Sequence, residues 1–516
     1  MNTAWIQTPR LDLSGPGNTD AKLIALRGRT DVRELDLSGT FVTLNGLAHG
    51  LRQLPGLEAL NLQGTLLTPE KLRCLGTLEH LQTLNLASTD LRDSDLAELG
   101  PLIHLRKLVL RGTPIRGTGL QFLGRLGRLR RLDLGGTKLT SEPLGHLTGL
   151  QDLQFLDLSW SRVGNSGMVP VSQLQGLRFL GLEGTRVGDA GLRNLADLGT
   201  LISLDLEDTH VTDVGLRYLV HQPLLQHLEL PDTVGAEGLL AISRLASLVE
   251  LTLCNAPVDD RGAAYLRTLT RLQTLHLGGT RIGDAGLEEL RSLRLLRVLY
   301  LGGTQVSDLG ASVLPQLANL EVLTLDDTRV GRAGLKALAH CPNLQVLDLS
   351  KTRVDDEGME FACFLGRLRD LNLCHTRVGD EGLLRLMDLS NLERLDLRST
   401  RTTGAGLNAL RGARRLERLE LGHTRVDDFG LPVLGNLYAL RTLDLSHTQV
   451  TDKGMRHLMS LSNLESLNLE STEVSDQGAK ALRLLPGLRS LRLVGTRVTE
   501  RGRRQLREAL PRCLVT

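Results

Sequence analysis

The segment Leu177–Leu201, which reads LRFLGLEGTRVGDAGLRNLADLGTL, decides the fold, because its pattern recurs along almost the whole chain. Counted from its threonine, Thr185, leucines stand at −8, −5 and −3, and valine stands at +2. Aspartate follows at +4, glycine at +6, and leucines at +7, +10 and +13. The equivalent of Thr185 occurs 21 times between Pro16 and Thr496, at intervals of 24 residues apart from one of 25 and one of 23. A repeat of this length predicts stacked units that share one continuous core.

Each repeat predicts one strand and one short helix. The leucines at −5 and −3 alternate with polar residues at −6, −4 and −2, which is the period of a strand with one buried face. Aspartate at +4 is typical of a helix N-cap, and the leucines at +7, +10 and +13 form one apolar stripe. The chain is therefore predicted to be an α/β solenoid, a curved horseshoe or superhelix with a parallel sheet on its concave face and short helices on its convex face.

Two small residues in the repeat need a reason of their own. A threonine between buried leucines is predicted to be buried itself, with its hydroxyl bonded to the backbone of its own loop or of the next repeat. Bonds to the next repeat would form a ladder along the stack. Glycine at +6 is predicted to let the first helical turn approach the strand of its own repeat.

The consensus LxxLxLxxTxVxDxGLxxLxxL resembles the leucine-rich repeat, with threonine where many members have asparagine or cysteine. The segment CPNLQVLDLSKTRVDDEGME, which starts at Cys341, resembles the cysteine-containing subclass of F-box substrate receptors and GALA-type bacterial effectors. The resemblance covers about residues 10–502. It implies the fold and a surface that binds another macromolecule, because solenoids present extended binding faces.

Composition excludes several classes of function. The 61 lysines and arginines nearly balance 59 aspartates and glutamates, so no direct binding to nucleic acid is expected. No run of about 18 apolar residues predicts a membrane span, and the first residues lack the pattern of a signal peptide. Six scattered cysteines favour a reducing, cytoplasmic location. One domain is predicted over 1–516, with an N-terminal capping unit at 1–30, repeats at 31–502 and a C-terminal cap at 503–516.

No motif in the chain points to catalysis. The Walker loop, HExxH, GxSxG and a strand-linked GxGxxG are all missing from the sequence. The protein is therefore predicted not to be an enzyme, and neither a cofactor nor a small-molecule substrate is expected. His375, His423 and His447, with Cys374, could hold zinc, but residues spread over four strands make a poor tetrahedral site. No metal is predicted.

Aromatic residues are few and are placed on the strands. The chain has seven Phe, two Trp and four Tyr, yet Phe155, Trp160 and Phe179 stand on or beside two adjacent strands. An exposed aromatic group of this kind predicts an anchor for a protein partner. The alternative is that these side chains pack against a loop of their own chain. Tyr300, in a later stretch where the −4 position loses its acidic character, is a further candidate contact.

Acidic residues are stacked on three neighbouring repeats. Side chains about 5 Å apart on adjacent strands repel when they carry like charges. His210 and His227 are the only nearby groups predicted to compensate, so a partner with a basic surface is expected. The alternatives are a solvated acidic stretch or a shared calcium ion. The stacked pairs are Glu183 with Glu207 at −2, Asp205 with Glu229 at −4, and Asp208 with Asp232 at −1.

Taken together, the sequence predicts a non-enzymatic scaffold or adaptor that binds a protein on its concave face. A second hypothesis is a substrate-recognition subunit, or an effector, that acts with a ubiquitin ligase. A third is a regulator of a GTPase or a cyclase. A repeat array specifies how a surface is built and leaves the partner open.

Overall fold

The computed structural model describes residues 10–17, 20–26 and 29–516, and the chain divides into two compact units, Met1–Thr252 and Leu253–Thr516. Within each unit, a three-residue strand, a tight turn and a short helix repeat in the predicted order. Residues 1–9, 18–19 and 27–28 of the predicted N-terminal capping unit lie outside the described residues. A single domain over 1–516, with its capping units, stays a prediction.

Every repeat contributes its residues −6 to −4 as a strand, and consecutive strands within each unit pair in parallel with equal positions in register. The strands of the first unit are β1 (Arg10–Asp12), β2 (Glu34–Asp36), β3 (Ala59–Asn61), β4 (Thr83–Asn85), β5 (Lys107–Val109), β6 (Arg131–Asp133), β7 (Phe155–Asp157), β8 (Phe179–Gly181), β9 (Ser203–Asp205), β10 (His227–Glu229) and β11 (Glu250–Thr252). Those of the second are β12 (Thr274–His276), β13 (Val298–Tyr300), β14 (Val322–Thr324), β15 (Val346–Asp348), β16 (Asp370–Asn372), β17 (Arg394–Asp396), β18 (Arg418–Glu420), β19 (Thr442–Asp444), β20 (Ser466–Asn468), β21 (Ser490–Arg492) and β22 (Leu514–Val515).

The return segments are short α-helices or 3₁₀ helices. The α-helices are Asp20–Ile24, Leu44–Arg52, Pro69–Leu75, Leu120–Leu123, Met168–Val171, Asp189–Leu195, Asp213–Leu216, Ala236–Ile242, Asp260–Leu266, Asp284–Glu289, Asp308–Ala311, Arg332–Leu338, Asp380–Leu383, Leu431–Leu434, Asp452–Met455, Asp476–Leu482 and Glu500–Ala509. The 3₁₀ helices are Asp93–Leu99, Glu142–Leu147, Asn165–Gly167, Arg217–His221, Leu290–Ser292, Leu314–Gln316, Gly358–Phe364, Leu384–Leu386, Gly406–Gly412 and Arg456–Ser460.

The predicted apolar positions form the core. In the repeat of Thr185, the leucines at −8, −5 and −3 and the valine at +2 are fully buried, and those at +7, +10 and +13 are at most 2% exposed. At the C-terminus, Leu514–Val515 pairs with β21, and Val515 is buried. The parallel sheet with helices behind it confirms the predicted α/β repeat fold.

A residue with a left-handed backbone conformation stands at position −1, after the strand of each regular repeat. This conformation was not predicted from the sequence. The N–H of this residue donates to the carbonyl at −2 of the next repeat, as Gly184 does to Glu207 at 3.0 Å, so the parallel ladder continues past the strand. Glycine fills this position in Gly39, Gly64, Gly112, Gly136, Gly184, Gly279, Gly303 and Gly495. Other residues hold φ between 52° and 59° at Ser88, Trp160, Asp208, Asn255, Asp327, Lys351, His375, Ser399, His423, His447 and Ser471.

The threonine position is buried as predicted, but threonine does not build the ladder between repeats. The hydroxyl of Thr376 donates to the carbonyl of Leu373, three residues earlier in its own repeat, at 2.6 Å. The same bond recurs from Thr40 to Thr496 at 2.5–2.7 Å. Thr233, in the repeat that is one residue short, is exposed and bonds Val211 instead. Apart from Thr233, each of these threonine hydroxyls therefore closes the turn of its own repeat.

Replacing Thr376 by valine is expected to lower the free energy of unfolding by about 1 kcal/mol. The loss is modest because the Leu373 carbonyl still accepts the N–H of Thr376 at 3.2 Å. Hydrogen exchange of amides 370–380 is the measurement, and Thr376→Ser, which keeps the hydroxyl, is the control. Equal exchange in the valine and wild-type proteins would contradict the role of this bond.

The aspartate at +4 supplies the contact between repeats. Asp284 Oδ1 accepts the N–H of Ser307 at 2.7 Å and that of Gly310 at 2.9 Å, and Oδ2 accepts the Ser307 hydroxyl at 2.6 Å. Ser307 caps the helix Asp308–Ala311, so the carboxylate caps the helix of the following repeat. The prediction that this aspartate caps its own helix is wrong, because Asp284 is itself the first residue of its helix.

The same contact explains the glycine at +6. A Cβ built on Gly310 would lie 2.6 Å from Asp284 Oδ1, and a Cβ built on Gly478 would lie 2.4 Å from Asp452 Oδ1. The glycine therefore admits the carboxylate of the preceding repeat. The predicted approach to the strand of its own repeat is not the reason for its presence.

Candidate protein-binding face

Three side chains at position −6 form a stack on the exposed side of β6, β7 and β8. Phe155 and Phe179 are partners in register, and their rings lie 4.0 Å apart at an angle of 3°. The guanidinium carbon of Arg131 lies 3.5 Å from the centroid of Phe155. Both phenylalanines are half-buried. All three side chains of the stack lie on the same face of the sheet. A cation over an aromatic ring adds about 0.5–1 kcal/mol at an exposed site.

Trp160 lies beyond the end of β7 at the left-handed position, with φ 58°. Its side chain is 52% exposed. Its backbone N–H donates to the backbone carbonyl of Glu183 at 2.6 Å. A Cβ on Gly184 would lie 2.6 Å from Cε3 of the indole, so this glycine leaves room for the ring. The largest side chain of this face is therefore held over the neighbouring repeat and open to solvent.

An ion pair links the repeats beside the aromatic stack. Arg111 donates to the carboxylate of Asp157 at 2.9 Å and lies 4.0 Å from Asp133. Asp157 is buried. Burial and the nearby Asp157 charge raise the pKa of Asp133, against the hydrogen bond from Gly135. Arg111 was not among the predicted residues, because a single arginine at −2 carries no sequence signal of its partners two repeats away.

The predicted acidic residues form a cluster on β8, β9 and β10 and the turns that follow. Asp205 and Glu229 are partners in register, and the N–H of Glu207 donates to Asp205 Oδ1 at 3.0 Å. Burial and repulsion by Glu229, Glu183 and Glu207 raise the pKa of Asp205 to about 7. The pKa values of Glu207 and Glu229 are raised too, by burial first and by their acidic neighbours second. Among the described residues, no lysine or arginine forms an ion pair with these carboxylates.

Asp208 and Asp232 differ in their relation to this cluster. Asp208 is exposed, holds the left-handed conformation and raises the pKa of Glu207. Asp232 is exposed but not left-handed, because its repeat is one residue short, so the third predicted pair does not form a regular stack. His227 Nδ1 lies 3.0 Å from Glu250, and His227 opposes the rise in the pKa of Glu229 only as the last of its causes. In the part of the chain that is described, no group of three or more His, Cys, Asp and Glu could hold a metal ion.

The raised pKa of Asp205 predicts that the first unit loses stability as the pH rises from about 4 towards 7. The unfolded carboxyl ionises near its ordinary value of 3.8, whereas the folded one keeps its proton, so the folded state binds more protons in this window. Hydrogen exchange of peptides from 180–232, corrected for intrinsic rates, should show more protection at pH 5.5 than at pH 8. Asp205→Asn keeps the acceptor for Glu207 and should flatten this dependence. An unchanged slope in that variant would contradict the assignment.

The remaining candidate, Tyr300, belongs to the second unit. Its ring stacks on His276 with centroids 4.2 Å apart, on the −4 position of β12 and β13. His423 and His447 stack in the same way at 4.1 Å. The structure thus brings Phe155, Phe179 and the acidic cluster onto one strand face, while Tyr300 belongs to a separate group.

Sequence and structure comparisons identify the repeat. A sequence model described as the leucine-rich repeat matches residues 149–172, 200–220, 268–290, 340–361, 440–459 and 460–482. These are leucine-rich repeats. The cysteine-containing, GALA-like subclass is not confirmed. Among curated proteins, no leucine-rich-repeat protein or other relative matches the chain.

Three of the solved structures that match the chain cover most of it. The TLR13–ssRNA13 complex matches with a TM-score of 0.60 and 18% identity, over 90% of this chain and 77% of that one. The plant peptide hormone receptor RGFR1 in complex with RGF2 gives 0.47 and 17%, over 95% and 81%. A leucine-rich-repeat protein of Leptospira interrogans gives 0.36 and 21%, over 96% and 98%. At these identities the first likeness supports the fold alone. No helix within the described residues combines the length and apolarity needed to cross a bilayer.

Proposed function

We propose that this protein is a non-enzymatic scaffold or adaptor that binds another protein on the strand face of its first unit. The aromatic stack carries this proposal, since the half-buried rings of Phe155 and Phe179 and the exposed Arg131 form an ordered row on the sheet. Aromatic residues and arginine are the residue types that dominate binding energy at interfaces. Trp160, 52% exposed at the end of the same strands, extends the apolar area.

The partner is proposed to present a basic surface. Burial first, and then repulsion by Glu229, Glu183 and Glu207, raises the pKa of Asp205 to about 7. A lysine or arginine placed among them would relieve this repulsion and lower that pKa. Complementary charge also speeds association and suppresses wrong partners. The protein is expected to act in the cytoplasm, where its six cysteines, which form no disulfide in the described part of the chain, would stay reduced.

Capture with matched variants tests the proposed face. Phe179→Ala should weaken the affinity for the captured partner by about 2 kcal/mol. Val322→Ala is the control, because Val322 occupies the same −6 position on β14 of the second unit and is also half-buried. Quantitative mass spectrometry should show proteins that are retained by the wild type and by Val322→Ala and lost with Phe179→Ala. Equal retention by all three would place the binding surface elsewhere.

Charge reversal then tests the chemistry of the partner. Glu207→Lys with Glu229→Lys should slow association with the captured protein, and raising the salt concentration should shrink the difference, because exposed charges are screened over about 8–10 Å at physiological ionic strength. The dissociation rate should change less. If neither the charge reversal nor the salt concentration changes the association rate, a basic partner is excluded.

A further inference from the structure

A second charged feature of the first unit lies at the entrance to the strands, at positions −7 and −9. Arg106 and Arg130 occupy −7 in consecutive repeats, and their side chains are exposed. Residues at the same position of adjacent parallel strands lie about 4.8 Å apart. Like charges at that distance repel, which makes the pair unfavourable in the free protein. The flanking repeats offer only Gln82 and Gln154 at this position.

The same position in the second unit is built differently. There, arginine and glutamate occupy −7 in neighbouring repeats and form ion pairs across them. Arg297 lies 2.6 Å from Glu321, and Arg441 lies 2.7 Å from Glu465. Within the described residues, Arg106 and Arg130 form no such pair. The repeat therefore accommodates acidic residues at −7, as at Glu58 in the first unit, whereas the repeats that flank Arg106 and Arg130 have none at this position.

One of the two arginines, Arg106, borders a basic groove of about 240 Å³. It is lined by His80, Gln82, His104, Arg106 and Arg128. Arg128 lies 2.9 Å from Nδ1 of His104. Since a guanidinium can only donate, His104 accepts through Nδ1, and its Nε2–H is left as a further donor. The groove thus gathers several fixed donors, and no carboxylate contributes to its lining.

We infer that this groove binds a phosphate group on a phosphorylated segment of the protein partner. Guanidinium groups match phosphate oxygens through paired N–H bonds, and a phosphorylated side chain brings nearly two negative charges at neutral pH. The choice of a protein as the source of the phosphate rests on the proposed function. Arg131, which follows Arg130 in the chain, already stacks on Phe155 in the proposed protein-binding face. One partner could therefore contact the groove and the aromatic stack together.

Charge along the face favours a phosphorylated protein over a nucleic acid. A nucleic-acid strand needs a basic track over many phosphates. Here the basic residues span about three repeats, and the strand face carries Asp133 in the repeat of Arg130, followed by Asp157 and then the acidic cluster around Asp205. A strand that followed this face would meet carboxylates within a few repeats. A single phosphorylated side chain fits the short groove.

The test uses the full chain and a degenerate phosphoserine peptide library, with the same library unphosphorylated, measured by fluorescence polarisation. We expect binding that depends on the phosphate, competes with inorganic phosphate and weakens about tenfold in Arg106→Gln with Arg128→Gln, which removes both guanidinium groups that line the groove. The control is Arg297→Gln with Arg441→Gln, which removes two exposed arginines from the second unit and should leave the binding unchanged. Unaltered circular dichroism confirms that both variants fold.

Three results would overturn the inference. They are absence of phosphate-dependent binding, equal weakening by the control, and tighter binding of a short oligothymidine that the same arginine substitutions abolish. The last result would assign the groove to nucleic acid. Failure here is separable from failure of the proposed function, because loss of captured partner with Phe179→Ala can persist without any phosphate dependence.

Discussion

Replacing Asp284 by alanine is expected to lower the free energy of unfolding by about 3 kcal/mol or more. The substitution removes the acceptor for the N–H groups of Ser307 and Gly310 and for the Ser307 hydroxyl. Hydrogen bonds to a charged group each contribute about 1.5–3 kcal/mol, and a donor left without a partner inside the protein adds its desolvation cost. Solvent screening at the helix ends reduces the sum, so the expected loss is below the simple total.

Asp284→Asn is the matched control. An amide oxygen can still accept both N–H groups, as Asn165 does from Gly188 at 2.7 Å and from Gly191 at 3.0 Å in another repeat. The asparagine variant should therefore keep most of the stability. Because repeat arrays unfold in segments, the measurement is hydrogen exchange of amides 300–315 together with urea unfolding. Equal exchange in the alanine and asparagine variants would refute the cross-repeat cap.

The fold could be predicted because the repeat is regular. Leucines at fixed positions indicate both the strand period and the helix stripe, and 20 intervals leave little freedom for another assignment. The buried threonine followed from the same logic. A regular repeat does not show whether a side chain contacts its own repeat or the next one. Position +3, for example, is occupied by similar residues in both. The role of Asp284 was misassigned for that reason.

The left-handed conformation at position −1 could have been predicted from the residue types that occupy this position. Glycine, asparagine, aspartate, histidine and serine dominate position −1, and most of these residues adopt positive φ more readily than others. Trp160 and Lys351, which carry no such preference, obscured the pattern. The structure shows that the backbone of the repeat, rather than the side chain, sets this conformation.

The candidate site could be predicted only in part. Register placed Phe155 beside Phe179 and Asp205 beside Glu229, because equal positions face one another in a regular stack. It failed at Asp232, where the missing residue shifts the turn. The partners of the arginine side chains could not be predicted from the sequence, because these long side chains reach across one or two repeats, as Arg111 does to Asp157.

Gly310→Ala is expected to destabilise the second unit by about 2 kcal/mol or more, although alanine favours helices by about 1 kcal/mol over glycine. The new Cβ would lie 2.6 Å from Asp284 Oδ1, 3.1 Å from its Cα and 3.3 Å from Val306 Cγ1. A carboxylate held by three hydrogen bonds cannot move aside without breaking them, and the Cα belongs to the backbone. The steric conflict therefore outweighs the gain in helix propensity.

Two further variants isolate the cause by urea unfolding. Gly366→Ala should change stability by less than about 0.5 kcal/mol, because a Cβ there meets nothing within 4 Å. Combining Gly310→Ala with Asp284→Ala should cost clearly less than the sum of the two single substitutions, because removing the carboxylate relieves the closest contact of the new methyl group and the lost hydrogen bonds are counted once. Strict additivity would mean that the glycine and the aspartate of neighbouring repeats act independently, and the cross-repeat contact would then lose its role as the reason for this glycine.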